Sequence, residues 1–542
     1  MYFYGTYDDG AVDDLDVAAL PLDAIDPDLV GGLKIAELRK KYPLAFARSF
    51  DWLLNEDLIA AGTEGVRPRK TAAMWSHHLE TLANARVCER VIRHKAPAPV
   101  ATYFGLPKAD RSVARSIVNC ADISDSVRDS VGPVCLCPFP IILDALAAAL
   151  RRSPLGRSAI WLSDLRHYYH QLKIASRHIC VRCGDVAYVW LVLPMGHTCS
   201  CRVAQCTTWL LLKASGLPVP DAPNPPALLA FGRKQSRAGV VTVIYDNVIG
   251  AAEVTEAQYA ALSWSQATDN YHAVRKYNTV YKGAALRPGH KENPVCCGLA
   301  MAVVETEGYN ELRYKHAPAN VEKWQAMVSK IEQPTLRDMA RLIGVLIWDG
   351  YIGRLGPTMS AAMGDVIAVA KLVAKERFRT ETWAAAYRND AHIAMIKERV
   401  SAICNLNPWR NRVRPGHNLK RVVYVASDAS STGWGYTIFD ETGELVAVAA
   451  GKWFRKMPMF LCEALAYLFA VRATAERYPA SFIKVAIDAQ AVAYAVAKGY
   501  SGSPLLNQVL ERASYHVKLS KVLAKGHARR KKALSMAKLI KF

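Results

Sequence analysis

Apolar positions along the 542 residues change period several times, and the changes mark out elements. From residue 34 to about 95 the period is helical, in "LKIAELRKKYPLAFARSFDWLL" and then "KTAAMWSHHLETLANARVCERVIRH". "HKAPAPVATYFGLPK" is rich in proline and reads as a linker or domain entry. Beyond it, strands and helices mix up to about residue 300. "SVARSIVN" reads as a strand, "PFPIILDALAAALRR" as a helix after proline, and "SAIWLSDL" as a buried strand ending in an acid. "HICVRCGDVAYVWLVLP" alternates as a hairpin turning at Gly184-Asp185, and "SCRVAQCTTWLLLKA" is a helix. "VVTVIYDNVIGAA" is β-branched on both sides of Asp246-Asn247, which predicts strand, two-residue turn, strand. Residues 302–418 read as mostly helical, and "NPWRNRVRPGHN" breaks that run. Strand patterning returns from 419 in "VVYVASDASSTGWGYTIFD", followed by an amphipathic helix ("MFLCEALAYLFAVRA") and another strand ("FIKVAID").

This pattern predicts a mixed α+β chain of several domains, since 542 residues exceed one ordinary core. No apolar run approaches the roughly 20 residues of a membrane span, and no positive segment followed by an apolar core opens the chain. Those readings exclude a membrane call and point to nucleus or cytoplasm rather than secretion. Thirteen cysteines then read as reduced thiols. Cys180-x-x-Cys183 with Cys199-x-Cys201 has the makings of a zinc site, but buried thiols fit better, because the second spacing is unusual for zinc.

Charge narrows the class. The net charge is +21, unevenly spread. Residues 1–33 hold eight Asp and no Lys or Arg, so the remainder carries +29. Nothing after Glu511 is acidic, and the tail from Lys518 holds nine Lys or Arg. A basic body implies a polyanionic partner, most often nucleic acid.

Two sets of acids carry candidate chemistry. Asp164 ends one apolar strand and Asp246 lies at the turn of a hairpin. Two carboxylates brought together at strand ends suit a pair of divalent ions acting on a phosphate displacement, and Mg²⁺ fits because it needs few protein ligands. Further on, Asp428 ends a strand, Glu463 is the acid of a helix, and Asp488 ends a second strand.

The wording around these acids resembles reverse transcriptases of retroelements. "SDLRHYYHQLKI", "LPMGHTCSCRVAQ" and "VIYDNVI" resemble three successive polymerase motifs in order and spacing over about 190 residues, together with "RSVARSIVN" before them and "RPGHKENPVCCGLAM" after. The resemblance implies a right-hand polymerase of fingers, palm and thumb. Asp164 and Asp246 would hold two Mg²⁺, with Mn²⁺ as the alternative ion, and Asn247 stands where the family has a second Asp. Arg111 and Arg115 would contact the triphosphate, Tyr169 would exclude a 2′-hydroxyl, and Gly196 and Gln205 belong to the nucleotide side. Lys291 would protonate the leaving pyrophosphate.

The later acids resemble ribonuclease H in the order strand-Asp, helix-Glu, strand-Asp. Asp428, Glu463 and Asp488 would bind two metals, and His527 would serve as the mobile histidine. Lys532 replaces a fourth acid. The implied layout is an acidic lead and helical extension (1–95), fingers and palm (96–301), helical thumb or connection (302–418) and an α/β ribonuclease H-like domain with a basic tail (419–542). "TLRDMARLIGVLIWDGYIGRLGPTM" and the Asp-Ala-Ser wording resemble DIRS-type elements, which use a tyrosine recombinase, and the Asp-Asn centre resembles VIPER elements. Implied partners are an RNA template, a DNA primer, RNA–DNA hybrid and dNTPs, with a recombinase encoded separately. Two other readings stay open: a degenerate product that binds hybrid without catalysis, and an RNA-dependent RNA polymerase with an Asp-Asn centre.

Overall fold

The computed structural model describes residues 17–42, 55–92, 95–107, 112–124, 139–175, 177–217, 229–231, 239–306, 308–330, 332–353, 357–411, 422–440, 442–478, 482–498, 501, 503–517 and 521–524. Arg111, His527, Lys532, residues 1–16 of the acidic lead and the tail from residue 525 lie outside these. The chain forms two compact units, Met1–Pro318 with Pro408–Arg412, and Ala319–Asn407 with Val413–Phe542.

The first unit contains a hairpin, β1 (Thr102–Pro107) and β2 (Ala114–Asn119), and is centred on a five-stranded antiparallel sheet. That sheet contains β3 (Ser158–Leu165), β4 (Leu229–Phe231), β5 (Gly239–Ile244), β6 (Asn247–Glu253) and β7 (Arg275–Lys282), in the order β7-β3-β6-β5-β4. Helices α1 (Phe139–Arg152), α2 (Thr198–Ala214) and α3 (Val254–Asn270) pack against it. β3 is buried along nearly its whole length, which explains its unbroken apolar run. Trp161 at its middle is fully buried, and its indole N–H donates to Asn278 Oδ1 at 2.6 Å.

Three elements differ from the sequence reading. The helix read through "LETLANARVCERV" ends at Asn84. Arg86 takes a left-handed conformation (φ 62°), and Cys88–Val91 becomes a strand paired with Val186–Trp190. The proline-rich linker contributes β1, so it belongs to the unit rather than joining two. Residues 302–316, the start of the region read as mostly helical, lie instead in a hairpin of β8 (Leu299–Thr306) and β9 (Tyr309–His316). Both strands alternate in burial only in part, and β8 opens with four buried residues that hide the two-residue period.

The acidic lead is also part of this unit. Leu29 and Leu33 are buried, Leu33 in one core with Trp75, Trp161 and Tyr168, and Leu22, Ile25 and Val30 pack half-buried against that core. Its backbone is tied down by Gly31 N–H to His170 O (2.8 Å) and Leu33 N–H to Gln171 O (3.1 Å).

The second unit opens with four helices, α4 (Pro318–Lys330), α5 (Leu336–Gly353), α6 (Pro357–Thr380) and α7 (Asp390–Leu406). α5 starts at a reciprocal cap: Thr335 N–H donates to Asp338 Oδ2 (3.1 Å) and Asp338 N–H to Thr335 Oγ1 (3.2 Å). Leu336, Met339, Ile343, Val366, Val373 and Ile396 form the core of this helical part. A second sheet follows, with β10 (Val422–Ala429), β11 (Gly433–Phe439), β12 (Leu445–Lys452), β13 (Phe482–Ile487) and β14 (Lys521–Ala524). The order is β12-β11-β10-β13-β14. The first three are antiparallel, while β13 runs parallel to β10 and β14 parallel to β13. Parallel neighbours need crossovers. α8 (Met459–Arg477) precedes β13, and α9 (Gln490–Lys498) and α10 (Pro504–Val517) lie between β13 and β14. α8 packs on the sheet, with Ala464, Tyr467 and Val471 facing Val425 and Ile483 in one core. Among the described residues no helix is long and apolar enough to cross a membrane.

One close approach fixes how β2 sits. Val118 N–H donates to Met195 O at 2.9 Å, and the next residue, Gly196, has φ 116°. A Cβ at Gly196 would meet Val118 O at 2.3 Å, whereas at Gly216 (φ 78°) nothing lies within 4 Å. Gly196→Ala is therefore expected to lower unfolding stability by more than about 2 kcal/mol and Gly216→Ala by about 1 kcal/mol. Urea unfolding of both variants checks this; equal losses would mean that the contact with Val118 is easily relieved.

Candidate active site

β3 leaves the apolar interior at Asp164-Leu165, and β6 pairs with it so that Asp164 lies opposite Asn247. Leu165 N–H donates to Asp246 O at 3.2 Å. The β5–β6 hairpin pairs Ile244 with Asn247, so its two turn residues are Tyr245 and Asp246. This moves the expected turn back by one residue and makes Asn247 the first residue of β6. Tyr245 carries the left-handed conformation (φ 55°) that such tight turns require.

α2 holds the turn in place. Gln205 accepts Tyr245 N–H on Oε1 at 2.7 Å and donates from Nε2 to Val243 O at 3.0 Å. Thr208 donates to Tyr245 O at 2.6 Å. The amide of Gln205 is therefore spent at both ends on hairpin backbone. These bonds tie α2 to the hairpin that carries Asp246.

Asp164 and Asp246 open into a cleft of about 530 Å³, which Arg115, Tyr169, Lys276 and Asp23 also line. Burial pushes the Asp164 carboxyl up to about 6, and the Asp246 charge adds to this; the Lys276 ammonium, 3.8 Å from Oδ2, pulls the other way. Burial likewise raises Asp246, against hydrogen bonds from its own backbone and from Asn247 Nδ2 (2.8 Å) and against the charges of Arg115 and Lys276. Two acids that share a desolvated site, with the charge of one raising the other, form a pair whose repulsion a bound cation would relieve. The donor set therefore fits a divalent metal, with the Asn247 carboxamide oxygen as a neutral third donor. Tyr169 is half-buried beside them, and its hydroxyl donates to Cys201 Sγ at 3.6 Å. Burial raises that hydroxyl far above neutrality, so it stays protonated.

Two of the lining residues were not found in the sequence. Lys276, on β7, is the cation next to Asp164, while Lys291 sits exposed in the turn after Arg287 and does not line the cleft. The signal was Arg275-Lys276 at the start of an otherwise alternating strand. Asp23 comes from the acidic lead: Leu22 bridges Ala114, Asp23 N–H donates to Ala114 O (3.2 Å), and its carboxylate lies 3.7 Å from His167 Nε2. The apolar residues spaced through that lead (Leu20, Leu22, Ile25, Leu29, Leu33) were the clue that it packs.

The second unit holds a separate group. Ser427 of β10 pairs in parallel with Ile487 of β13, so the next residues, Asp428 and Asp488, emerge at the same sheet end. Glu463 on α8 is 5% exposed, and its Oε2 has no hydrogen-bond partner. Burial pushes this carboxyl up to about 7; Asp428 and Asp488 raise it further, and Ala429 N–H opposes them. An orphaned buried oxygen facing two acids also fits a cation. Among the described residues no three His, Cys, Asp or Glu side chains are drawn into a closed metal cage, at this site or at Cys180, Cys183, Cys199 and Cys201. Cys180 and Cys183 are buried thiols on a strand; Cys199 and Cys201 lie on α2 instead.

No family model matches the chain, and no curated protein matches it. Solved structures resemble it remotely. A foamy viral protease-reverse transcriptase (the dRH form) in complex with double-stranded DNA is 12% identical, over 96% of this chain and 82% of that one, with a TM-score of 0.41. The foamy viral enzyme in complex with RNA/DNA hybrid is 13% identical, over 96% and 63%, with a TM-score of 0.42. Ribonuclease H1 from Halobacterium salinarum NRC-1 is 17% identical, over 22% of this chain and 94% of its own, with a TM-score of 0.19. Likeness at this level carries no argument about chemistry, which rests on the side chains.

The raised acid has a stability consequence. The folded chain binds the Asp164 proton more tightly than the unfolded chain, so stability falls as pH rises from about 4 through about 6 and stays lower above that. Asp164→Asn removes the loss. In EDTA it is expected to stabilise the protein at pH 8 by on the order of 2 kcal/mol and hardly at all at pH 4. Thermal melting at both pH values checks this; a variant that melts lower at pH 8 would show that the two carboxylates do not repel.

Proposed function

We propose that the chain is a primer-dependent, RNA-directed DNA polymerase, with a second centre that acts on the RNA strand of RNA–DNA hybrid. The observation that carries the reading is the Asp164–Asp246 pair: two desolvated, mutually repelling carboxylates at strand ends, in one cleft with Arg115 and Tyr169. Motif order in the sequence supports the same assignment, as does the net charge of +21, which suits a polyanionic template and primer.

In this reading two Mg²⁺ ions, or Mn²⁺, bound by Asp164 and Asp246 would supply the Lewis-acid charge for in-line displacement at the α-phosphate of a dNTP. The protein supplies position and charge. Arg115 offers a guanidinium fork to the triphosphate. The Tyr169 ring, whose hydroxyl donates to Cys201, would exclude a 2′-hydroxyl. Lys276 stands where an ammonium can meet charge building on the leaving pyrophosphate, the role that the resemblance had given to Lys291. Asn247 orients Asp246 through its 2.8 Å hydrogen bond and keeps its own carbonyl oxygen for the ion.

Asp428, Glu463 and Asp488 would hold a second pair of ions for hydrolysis of RNA, the activity expected of a ribonuclease H-like centre. The DIRS-like and VIPER-like subtype rests on sequence wording alone, and a recombinase made as a separate protein follows from that subtype; work in the nucleus or cytoplasm rests on the reading of the cysteines as reduced thiols.

Primer extension on an RNA template, with dNTPs and either Mg²⁺ or Mn²⁺, tests the polymerase. Asp246→Asn is expected to lower the rate by more than about 100-fold, and Tyr169→Ala to raise ribonucleotide incorporation relative to dNTP. Extension that survives Asp246→Asn, or favours rNTPs in the wild type, would overturn the reading. For the second centre, Glu463→Gln should abolish cleavage of a labelled hybrid while hybrid binding persists; equal cleavage by both proteins would remove Glu463 from the chemistry.

A further inference from the structure

The turn that joins Val295–Cys296 to β8 carries two adjacent thiols, Cys296 and Cys297. Cys296 pairs with Leu299, so Cys297 and Gly298 form a two-residue turn, with φ of 50° and 76°. In a regular strand, successive side chains point to opposite faces. The left-handed step at Cys297 breaks that alternation and brings the two sulfurs to 3.8 Å, in contact. Cys296 is buried, while Cys297 is the exposed cysteine among the described residues. Cysteine has no special fitness for a left-handed turn position, where Gly, Asn or Asp are favoured.

We propose that Cys296-Cys297 is a reactive dithiol, with Cys297 as the attacking thiol and Cys296 as the resolving one, and that it takes soft two-electron electrophiles such as hydroperoxides. The Cys297 thiolate attacks the terminal peroxide oxygen: an S–O bond forms, the O–O bond breaks, and the departing oxide takes a proton, leaving as water from hydrogen peroxide or as an alcohol from an organic hydroperoxide. Cys297 is then a sulfenic acid. The Cys296 sulfur displaces its hydroxide, which leaves as water with the Cys296 proton, and an S–S bond forms. Two thiols are oxidised and one hydroperoxide is reduced. Contact between the sulfurs makes the second step faster than further oxidation of Cys297. The thiol–thiol hydrogen bond assists, lowering Cys297 and raising Cys296.

The other described thiols do not offer this combination. Cys201, near the same cleft, is partly covered and accepts the Tyr169 hydroxyl, and the remaining ones are buried. The charges of Asp164 and Asp246 act on Cys296, so the dithiol lies within electrostatic reach of the candidate active site. Oxidation there would alter the turn next to the acids. That consequence alone rests on the polymerase reading; the thiol chemistry does not.

The full-length protein is treated with limiting hydrogen peroxide, and then with a sulfenic-acid trap or an alkylating agent, and the peptide containing both cysteines is read by mass spectrometry. The expected wild-type product is a disulfide within that peptide, reversed by dithiothreitol. Cys296→Ser should instead accumulate trapped sulfenic acid at Cys297, and Cys297→Ser should leave Cys296 a thiol. Phenylarsine oxide, which bridges two thiols with loss of water and no redox change, should add to the wild type at this peptide and to neither variant. Prior oxidation of another cysteine, or a Cys296→Ser protein with no trappable Cys297, would overturn the proposal. If the peptide reacts as expected but primer extension is unchanged, the link to the polymerase reading fails and the dithiol stands.

Discussion

Repulsion between two carboxylates held out of water is the constraint on which the first unit depends. It is imposed by register. Asp164 lies opposite Asn247 across β3 and β6, and Asp246 precedes Asn247 in a two-residue turn, so the pairing leaves the two acids no separate places. A slip of one residue would turn Asp164 to the other face of the sheet. The register is held by apolar contacts far from the acids, chiefly the buried length of β3, and by Gln205 and Thr208 on the turn. Folding energy from the core is thus applied against electrostatic repulsion at the strand ends.

The second unit solves the same problem with a different geometry. There the strands are parallel, so Asp428 and Asp488 emerge side by side without a hairpin, and the third acid comes from a helix. Glu463 is the most strained of the set in solvation terms, since its Oε2 has no partner and its carboxyl is raised to about 7. At neutral pH it is divided between acid and carboxylate, which lets the metal-free site stay buried without a full third charge.

The acids were legible in the sequence because each ends or interrupts an apolar run, and such an interruption stands out from a single chain. So did β3, α2 and the hairpin, whose periods are strong. What escaped was charge brought in from a distance. Lys276 is one cation among 69, and only the pairing of β7 with β3 puts it next to Asp164. Asp23 belongs to a strongly acidic segment that is nevertheless held in the unit by apolar packing, with Leu33 buried in its core and Val17, Ala18, Leu22, Ile25 and Val30 half-buried against it. The strand at Cys88–Val91 was lost because its partner, Val186–Trp190, is about a hundred residues away. Gln205 stands out in the sequence, but its two bonds to the hairpin backbone do not, since a side chain that bonds backbone looks the same in sequence as one that binds ligand.

The Asn at position 247 makes sense against this background. A third carboxylate here would face Asp164 across the strands and sit next to Asp246, in a cleft where burial already raises both. The carboxamide does the opposite, for its N–H donates to Asp246 Oδ1 and lowers that acid's hold on a proton. Asn247, Arg115 and Lys276 all oppose the rise at Asp246, and Lys276 opposes it at Asp164 as well. Asn247 and Lys276 differ in freedom: Lys276 is 65% exposed on a flexible stem and moves at little cost, whereas Asn247 is fixed by its pairing with Asp164. Under the metal-binding reading proposed above, a carboxamide at 247 would give up one ligand charge and in return lessen the repulsion that the cleft has to hold.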